Sequence, residues 1–178
     1  TKTIIDLAHA NNIPVLLDGC QGAVHLPTDV QALDVDFYVF SGHKVYGPGG
    51  IGVLYAKSEL LEGMRPYRGG GEMIREVLPD EVTYADPPHR FEAGTPPIVE
   101  AIGLGAALDY MMAIGWQNIC GHEKALAAHA MDVVGSINRV RIFGTTPEKG
   151  AIVSFIVDGI HSHDIACLLY TSPSPRDP

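Results

Sequence analysis

Two residues set the chemical question. Asp18 closes the apolar run Ile13 to Leu17 in "IPVLLDG", and Lys44 stands in "SGHK" directly after a second apolar run, Phe37 to Phe40. A carboxylate beside an amine has a plain explanation, an ion pair that closes a core, and from those two residues alone it is the simpler one. The neighbours shift the balance. Ser41 and His43 bring a hydroxyl and an imidazole N–H to the lysine, and Gln21 adds a neutral amide near Asp18. Phosphate donors, an acid and an amine together meet the demands of pyridoxal phosphate: a lysine for the Schiff base, an acidic partner for the ring nitrogen and donors for the phosphate. A carboxylate at Asp18 favours the protonated ring nitrogen, which lets the ring withdraw electrons. Desolvation and the pyridinium charge keep Lys44 partly neutral, so that it can form the imine and then carry a proton.

These side chains need a scaffold that brings strand ends together. The continuously apolar run ending at Asp18 has the pattern of a strand buried on both faces of a parallel sheet, and ligands collect outside the carboxyl ends of such strands. Ile4, Ile5, Leu7 and Ala8 put a helix before it, a short polar-apolar stretch Asp29 to Leu33 precedes the second strand, and "GPGGIGVLYA" turns into a third strand, Ile51 to Ala56, with "KSELLEGM" as a short helix after it. Helix alternating with buried strand is an α/β pattern. From Arg65 to Pro97 glycines and prolines replace periodicity, so the spacing predicts a long loop of active-site and subunit-contact character. Ile98 to Ile114 reads as a small-residue helix packed closely at Gly103 and Gly105. A second α/β unit begins near Gly115, with a helix through Ile119 to Ile137, strands at Arg139 to Phe143 and Ala151 to Val157, and a helix opening at "HSHDIACLL" with Ser162 as N-cap.

Composition narrows the class. A chain of 178 residues, 46% hydrophobic, has enough apolar content for one good core and a partial second domain. Its net charge of −9 supplies no basic field for a phosphate backbone, so nucleic acid is not expected as a partner. No apolar run approaches the roughly 20 residues of a membrane span, and no leader pattern opens the chain. Cys20, Cys120 and Cys167 are odd in number and lack a Cys-x-x-Cys pair, which fits a reducing, cytoplasmic setting better than a disulfide framework or a zinc site.

The segment "LLDGCQGAVHLPTDVQALDVDFYVFSGHKVYGPGGIGVLY" resembles the cofactor region of cysteine desulfurases and selenocysteine lyases of the SUF-system type, within the class V aminotransferase family of fold type I. The likeness runs from about Ile4 to Leu169 through "GGGEMI", "RFEAGTP" and "IGLGAALDYM". It implies pyridoxal 5'-phosphate as cofactor, with Lys44 as the Schiff-base lysine, Asp18 at the pyridine nitrogen, Gln21 at the ring 3-oxygen, and Ser41 and His43 at the phosphate. Thr95 would reach the phosphate of a neighbouring subunit's cofactor, which implies a homodimer. The implied architecture is a parallel-rich large domain ending in residues 1–114, part of a smaller α/β C-terminal domain in 115–169, and a non-family tail, 170–178. The implied reaction takes sulfur from L-cysteine, or selenium from L-selenocysteine, leaving alanine. A persulfide then passes to a sulfur-acceptor protein for iron–sulfur cluster assembly.

The chain also departs from the family. The "Arg-x-Gly-x-x-Cys" loop and the carboxylate-binding arginine further on do not occur, nor do the ring-stacking histidine and the glycine-threonine phosphate loop that precede Thr1 in the family, so the chain is expected to be inactive alone. The tail "YTSPSPRDP" is either a disordered terminus or foreign sequence, the latter favoured by its onset within a helix. Pro97 replaces the usual asparagine. Cys20 reads as a small packing residue, as do Cys120 and Cys167. His161 and His163 lack a third metal ligand nearby, and "GPGGIG" lacks a P-loop lysine. An amino-acid epimerase or another class V lyase would use Asp18 and Lys44 identically. A scaffold or nucleotide-binding domain would merely pair them.

Overall fold

The computed structural model describes residues 1–147 and 149–172. The chain divides into two compact units, Thr1–Trp116 and Gln117–Pro178.

The first unit is built on a mixed three-stranded sheet in the order β1 (Leu16–Asp18), β2 (Phe37–Ser41), β3 (Gly52–Ala56). β1 runs parallel to β2 with Asp18 opposite Val39, and β3 returns antiparallel with Gly52 opposite Ser41. Side chains alternate across a sheet, so Leu17, Tyr38, Phe40 and Tyr55 share one face. That face packs against α1 (Lys2–His9), whose Ile5 is fully buried with Val35. Two short helices, α2 (Gly22–His25) and α3 (Val30–Leu33), fill the β1–β2 crossover, and Asp29 caps α3 by accepting from the N–H groups of Gln31 and Ala32, each at 2.9 Å.

The opposite face carries Leu16, Val39 and Leu54, with Leu16 57% and Leu54 52% exposed. The apolar run of β1 therefore marks a strand covered on one face in this chain rather than on both. After α4 (Ser58–Gly63), the glycine- and proline-rich stretch holds a hairpin where the sequence predicted a loop: β4 (Ile74–Val77) pairs antiparallel with β5 (Val82–Tyr84). Its turn closes by Leu78 N–H donating to Glu81 O at 2.7 Å. Arg90 ties the following segment to the end of α4, donating to the carbonyls of Glu62 at 2.8 Å and Ala85 at 3.1 Å. That arginine occupies the acceptors a helix C-terminus leaves open.

α5 (Ile98–Ile114) matches its sequence-derived bounds and is apolar around most of its circumference. Leu104, Ala107 and Met111 form the buried stripe. Gly103 lies against Pro48, whose Cγ would stand 3.1 Å from an added Cβ, whereas Gly105 faces open space. Close packing thus falls on the first glycine alone.

The second unit holds most of α6 (Trp116–Gly135), an antiparallel pair β6 (Val140–Phe143) and β7 (Ser154–Val157), and α7 (Ser162–Thr171). The N-cap of α7 is His161, not Ser162: the His161 ring accepts from the His163 N–H at 3.2 Å. A histidine ring nitrogen can cap in this way only in the tautomer that leaves it unprotonated. Of the predicted tail, residues 170–172 finish α7 and the following bend, and 173–178 lie outside the described residues.

Candidate active site

The sheet register brings the predicted residues to one edge. β1 and β2 are parallel neighbours, so their carboxyl ends emerge together. Asp18 is opposite Val39, and Ser41 is two residues beyond Val39, which sets Asp18 and Ser41 on the same face, away from the α1 core. Gly19 continues the ladder, its N–H donating to Val39 O at 2.7 Å. A side chain at Gly19 would overlap the Tyr38 ring, so only glycine lets the chain turn over that tyrosine immediately after Asp18.

The lysine is presented by a turn fixed from behind. Residues Gly42–Val45 form a single 3₁₀ turn after Ser41. Gly42 N–H donates to Ile51 O at 2.9 Å, Gly47 N–H donates to Gly42 O at 3.0 Å, and Tyr46 takes a left-handed φ of 62°. An added Cβ at Gly42 would sit 2.7 Å from Ile51 Cγ2, which explains the glycine of Ser-Gly-His-Lys by backbone approach. Val45 is buried, and α5 backs the turn, with Tyr110 meeting Tyr46 edge-on at a 6.4 Å ring separation. Lys44 is half-buried, and His43 and Gln21 are exposed.

Asp18 is exposed rather than buried, and its charge is still well supported. The Cys20 N–H donates to its Oδ1 at 3.0 Å, and this hydrogen bond first, then the nearby Cys20 side chain and the more distant Lys44 charge, hold the carboxyl below the usual aspartate range. Lys44 acts on Asp18 through its charge alone, without a direct ion pair. Among the described residues, the side chains of Gln21, His43 and Lys44 have no hydrogen-bond partner in the chain. A fixed anion, an amine and uncommitted donors at adjoining strand ends are a donor set that fits a phosphorylated pyridine aldehyde.

Thr95 stands apart from this set. It is exposed and lines a recess of about 270 Å³ with Glu72, His89 and Glu92, while neither Asp18 nor Lys44 contributes to that wall. Cys20, read from sequence as a small packing residue, lies beside this set. Its thiol is half-buried but meets polar groups, with Ser41 Oγ at 3.5 Å from Sγ. Two residues after the strand-end aspartate, the backbone folds back so that the Cys20 N–H meets the carboxylate. His161 and His163 stack edge-to-face at 4.9 Å, and no group of three or more metal-binding side chains occurs among the described residues.

A second charged cluster lies at the other end of the same strands. Asp36, just before β2, is 7% exposed. Its carboxylate accepts from Val15 N–H at 2.7 Å, pairs with His9 Nε2 at 2.8 Å and with Lys57 Nζ at 3.0 Å, and Lys57 also reaches Asp34 at 2.7 Å. Burial alone would raise the Asp36 pKa, but these partners outweigh it and bring it down to about 2. The hydrogen bonds that Lys57 donates to Asp34 and then to Asp36 raise its pKa to about 12.

Known proteins resemble this chain in sequence and in fold. The family described as Aminotransferase class-V matches residues 1–173. A cysteine desulfurase of Dickeya dadantii is 51% identical over 167 residues, covering 93% of this chain and 40% of that relative. The solved cysteine desulfurase CsdA of Escherichia coli superposes with a TM-score of 0.89 at 44% identity, over 95% of this chain and 42% of that one. A variant of the cystine C-S lyase C-DES, solved with glycine covalently linked to its PLP cofactor, superposes with a TM-score of 0.73 at 31% identity, over 89% of this chain and 42% of that one. The chain thus spans about two fifths of the length of the proteins it matches.

Proposed function

The chain belongs to the class-V aminotransferase family, and from that membership we propose that it is the cofactor-anchoring part of a pyridoxal-phosphate-dependent cysteine desulfurase acting on L-cysteine. The observation that carries this reading is the placement of Asp18 and Lys44 at the ends of adjacent parallel strands, electrostatically coupled but not paired. When bound, pyridoxal phosphate supplies an aldehyde for imine formation and a cationic ring that withdraws electrons from the substrate's α-carbon.

The chain's own residues divide the remaining work. The Asp18 carboxylate, anionic at neutral pH, is the counter-charge for the ring nitrogen. Lys44 Nζ would be the amine that holds the aldehyde, and as a free amine it would be the base for the substrate's α-proton. Its turn is held by Gly42 and α5, which fixes where the Lys44 backbone stands at the strand end. Ser41 Oγ and the His43 imidazole are donors to the phosphate, and the Gln21 amide to the ring oxygen.

The finer reading is a homodimer in which Thr95 serves the partner's phosphate, supported by its exposure and its separation from Asp18 and Lys44. A cytoplasmic role in iron–sulfur cluster assembly, with a sulfur-acceptor protein, follows from the desulfurase reading and suits three free cysteines. Borohydride reduction of the protein with pyridoxal phosphate, followed by peptide mapping, tests the assignment. A pyridoxyl group on Lys44 is expected; its absence there overturns the reading.

A further inference from the structure

Gly103 lies inside α5, where glycine is unfavourable relative to alanine. The space a side chain would take is filled by the ring of Pro48: a Cβ at position 103 would stand 3.1 Å from Pro48 Cγ and 3.3 Å from Pro48 Cδ. Most side chains relieve such a contact by changing rotamer. A proline ring is bonded to its own backbone nitrogen, so a push on Cγ and Cδ moves the Gly47–Pro48 peptide instead. That peptide belongs to the lysine turn. Gly47 N–H donates to Gly42 O at 3.0 Å and closes the loop that carries Lys44, and Pro48 O lies 3.3 Å from where a Cβ on Gly42 would be. The next residue of α5, the buried Leu104, bears on the same place, its Cδ1 lying 3.0 Å from where a Cβ on Gly47 would be. Helix backbone, proline ring and turn are in series, with no rotatable side chain between them.

We propose that Gly103 is a positioning residue for Lys44: the bare helix surface at Gly103 seats the Pro48 ring, and through that ring sets where the turn carries Lys44 at the strand end. The use made of Lys44 rests on the pyridoxal-phosphate reading; its placement rests on contacts within the chain. Gly105 supplies the contrast inside the same helix, because a Cβ there meets nothing within 4 Å. A methyl group at 105 projects into open space, whereas one at 103 must displace the proline.

The test compares Gly103→Ala, Gly105→Ala, Pro48→Ala and the pair Gly103→Ala with Pro48→Ala against the unaltered protein, each checked for folding by circular dichroism. Amide hydrogen exchange at Gly47 reads the closing bond of the turn without cofactor. The rate at which cyanoborohydride traps pyridoxal phosphate on Lys44, resolved by peptide mapping, reads the amine. Gly103→Ala is expected to speed Gly47 exchange and to slow trapping, each about fivefold, less than the roughly hundredfold that a full ångström of misplacement can cost. Gly105→Ala should leave both unchanged. Without the proline ring the added methyl has nothing to push, so the pair should differ little from Pro48→Ala alone. Should Gly103→Ala fail to fold, the pair, which lacks the obstructing ring, is expected to fold; failure of both overturns the proposal. So does Gly47 exchange or Lys44 trapping unmoved by Gly103→Ala, an equal effect from Gly105→Ala, or a full effect of Gly103→Ala in the absence of Pro48. Where the unaltered protein forms no adduct on Lys44 the functional reading falls, and Gly47 exchange across the same variants still decides whether Gly103 sets the turn.

Discussion

The same two residue types meet at both ends of one small sheet and do opposite things. At the amino ends of β1 and β2, Asp36 and Lys57 are in direct contact at 3.0 Å, with His9, Asp34 and the Val15 N–H completing the cluster. At the carboxyl ends, Asp18 and Lys44 feel each other's charge but do not pair, and neighbouring donors remain uncommitted. Saturation makes the first cluster a clasp, because its charges are spent on one another and on the backbone. The second leaves an anion and an amine without a mutual ion pair, as the proposed cofactor site requires. A buried or aligned charge therefore says little by itself; what its partners leave over decides its use.

Removing each lysine separates the two roles most sharply. Lys44→Ala should abolish the reducible pyridoxyl adduct completely, whereas Lys57→Met should leave it on Lys44, as read by peptide mass after borohydride. An adduct that moves to Lys57 would erase the distinction. In stability the order reverses. Lys57→Met leaves Asp36 without its cation and should cost about 3 kcal/mol in urea unfolding, while Lys44→Ala should leave the midpoint close to that of the unaltered protein.

Acid gives a smaller effect with a defined sign. Asp36 is depressed to about 2 in the fold, against roughly 3.9 in an unfolded chain. Its contribution, about 2 kcal/mol, is present in full above the unfolded value and is lost as pH falls from about 4 through about 2. Lys57, raised to about 12, loses its contribution in the other direction, as pH rises past roughly 10.4. Urea midpoints between pH 5 and 2 should drop steeply in the unaltered protein and less steeply in Asp36→Asn.

The Asp18–Lys44 edge was far more legible in sequence than the clasp. Ser-Gly-His-Lys after one apolar run and Asp-Gly-x-Gln after another are local strings, and the strands that join them are also local. The Asp36 cluster draws on His9, Val15 and Lys57, which are separated by up to 48 positions and fall in no repeating pattern, so only the folded register reveals it. The hairpin β4–β5 was hidden because short strands amid glycine and proline carry little alternation. α5 was read to its ends because seventeen residues of apolar helix begin after Pro97 and stop at Gly115. The Cys20–Ser41 contact was not legible because Ser41 comes from the next strand.

The ring nitrogen of bound pyridoxal phosphate offers the most direct test of the unpaired carboxylate at β1. With ¹⁵N-labelled cofactor at neutral pH, the nitrogen resonance should have the shift of a protonated pyridinium in the unaltered protein and of an unprotonated pyridine in Asp18→Asn. An unprotonated nitrogen in the unaltered protein, or a resonance indifferent to Asp18→Asn, would contradict the assignment of Asp18 as its counter-charge.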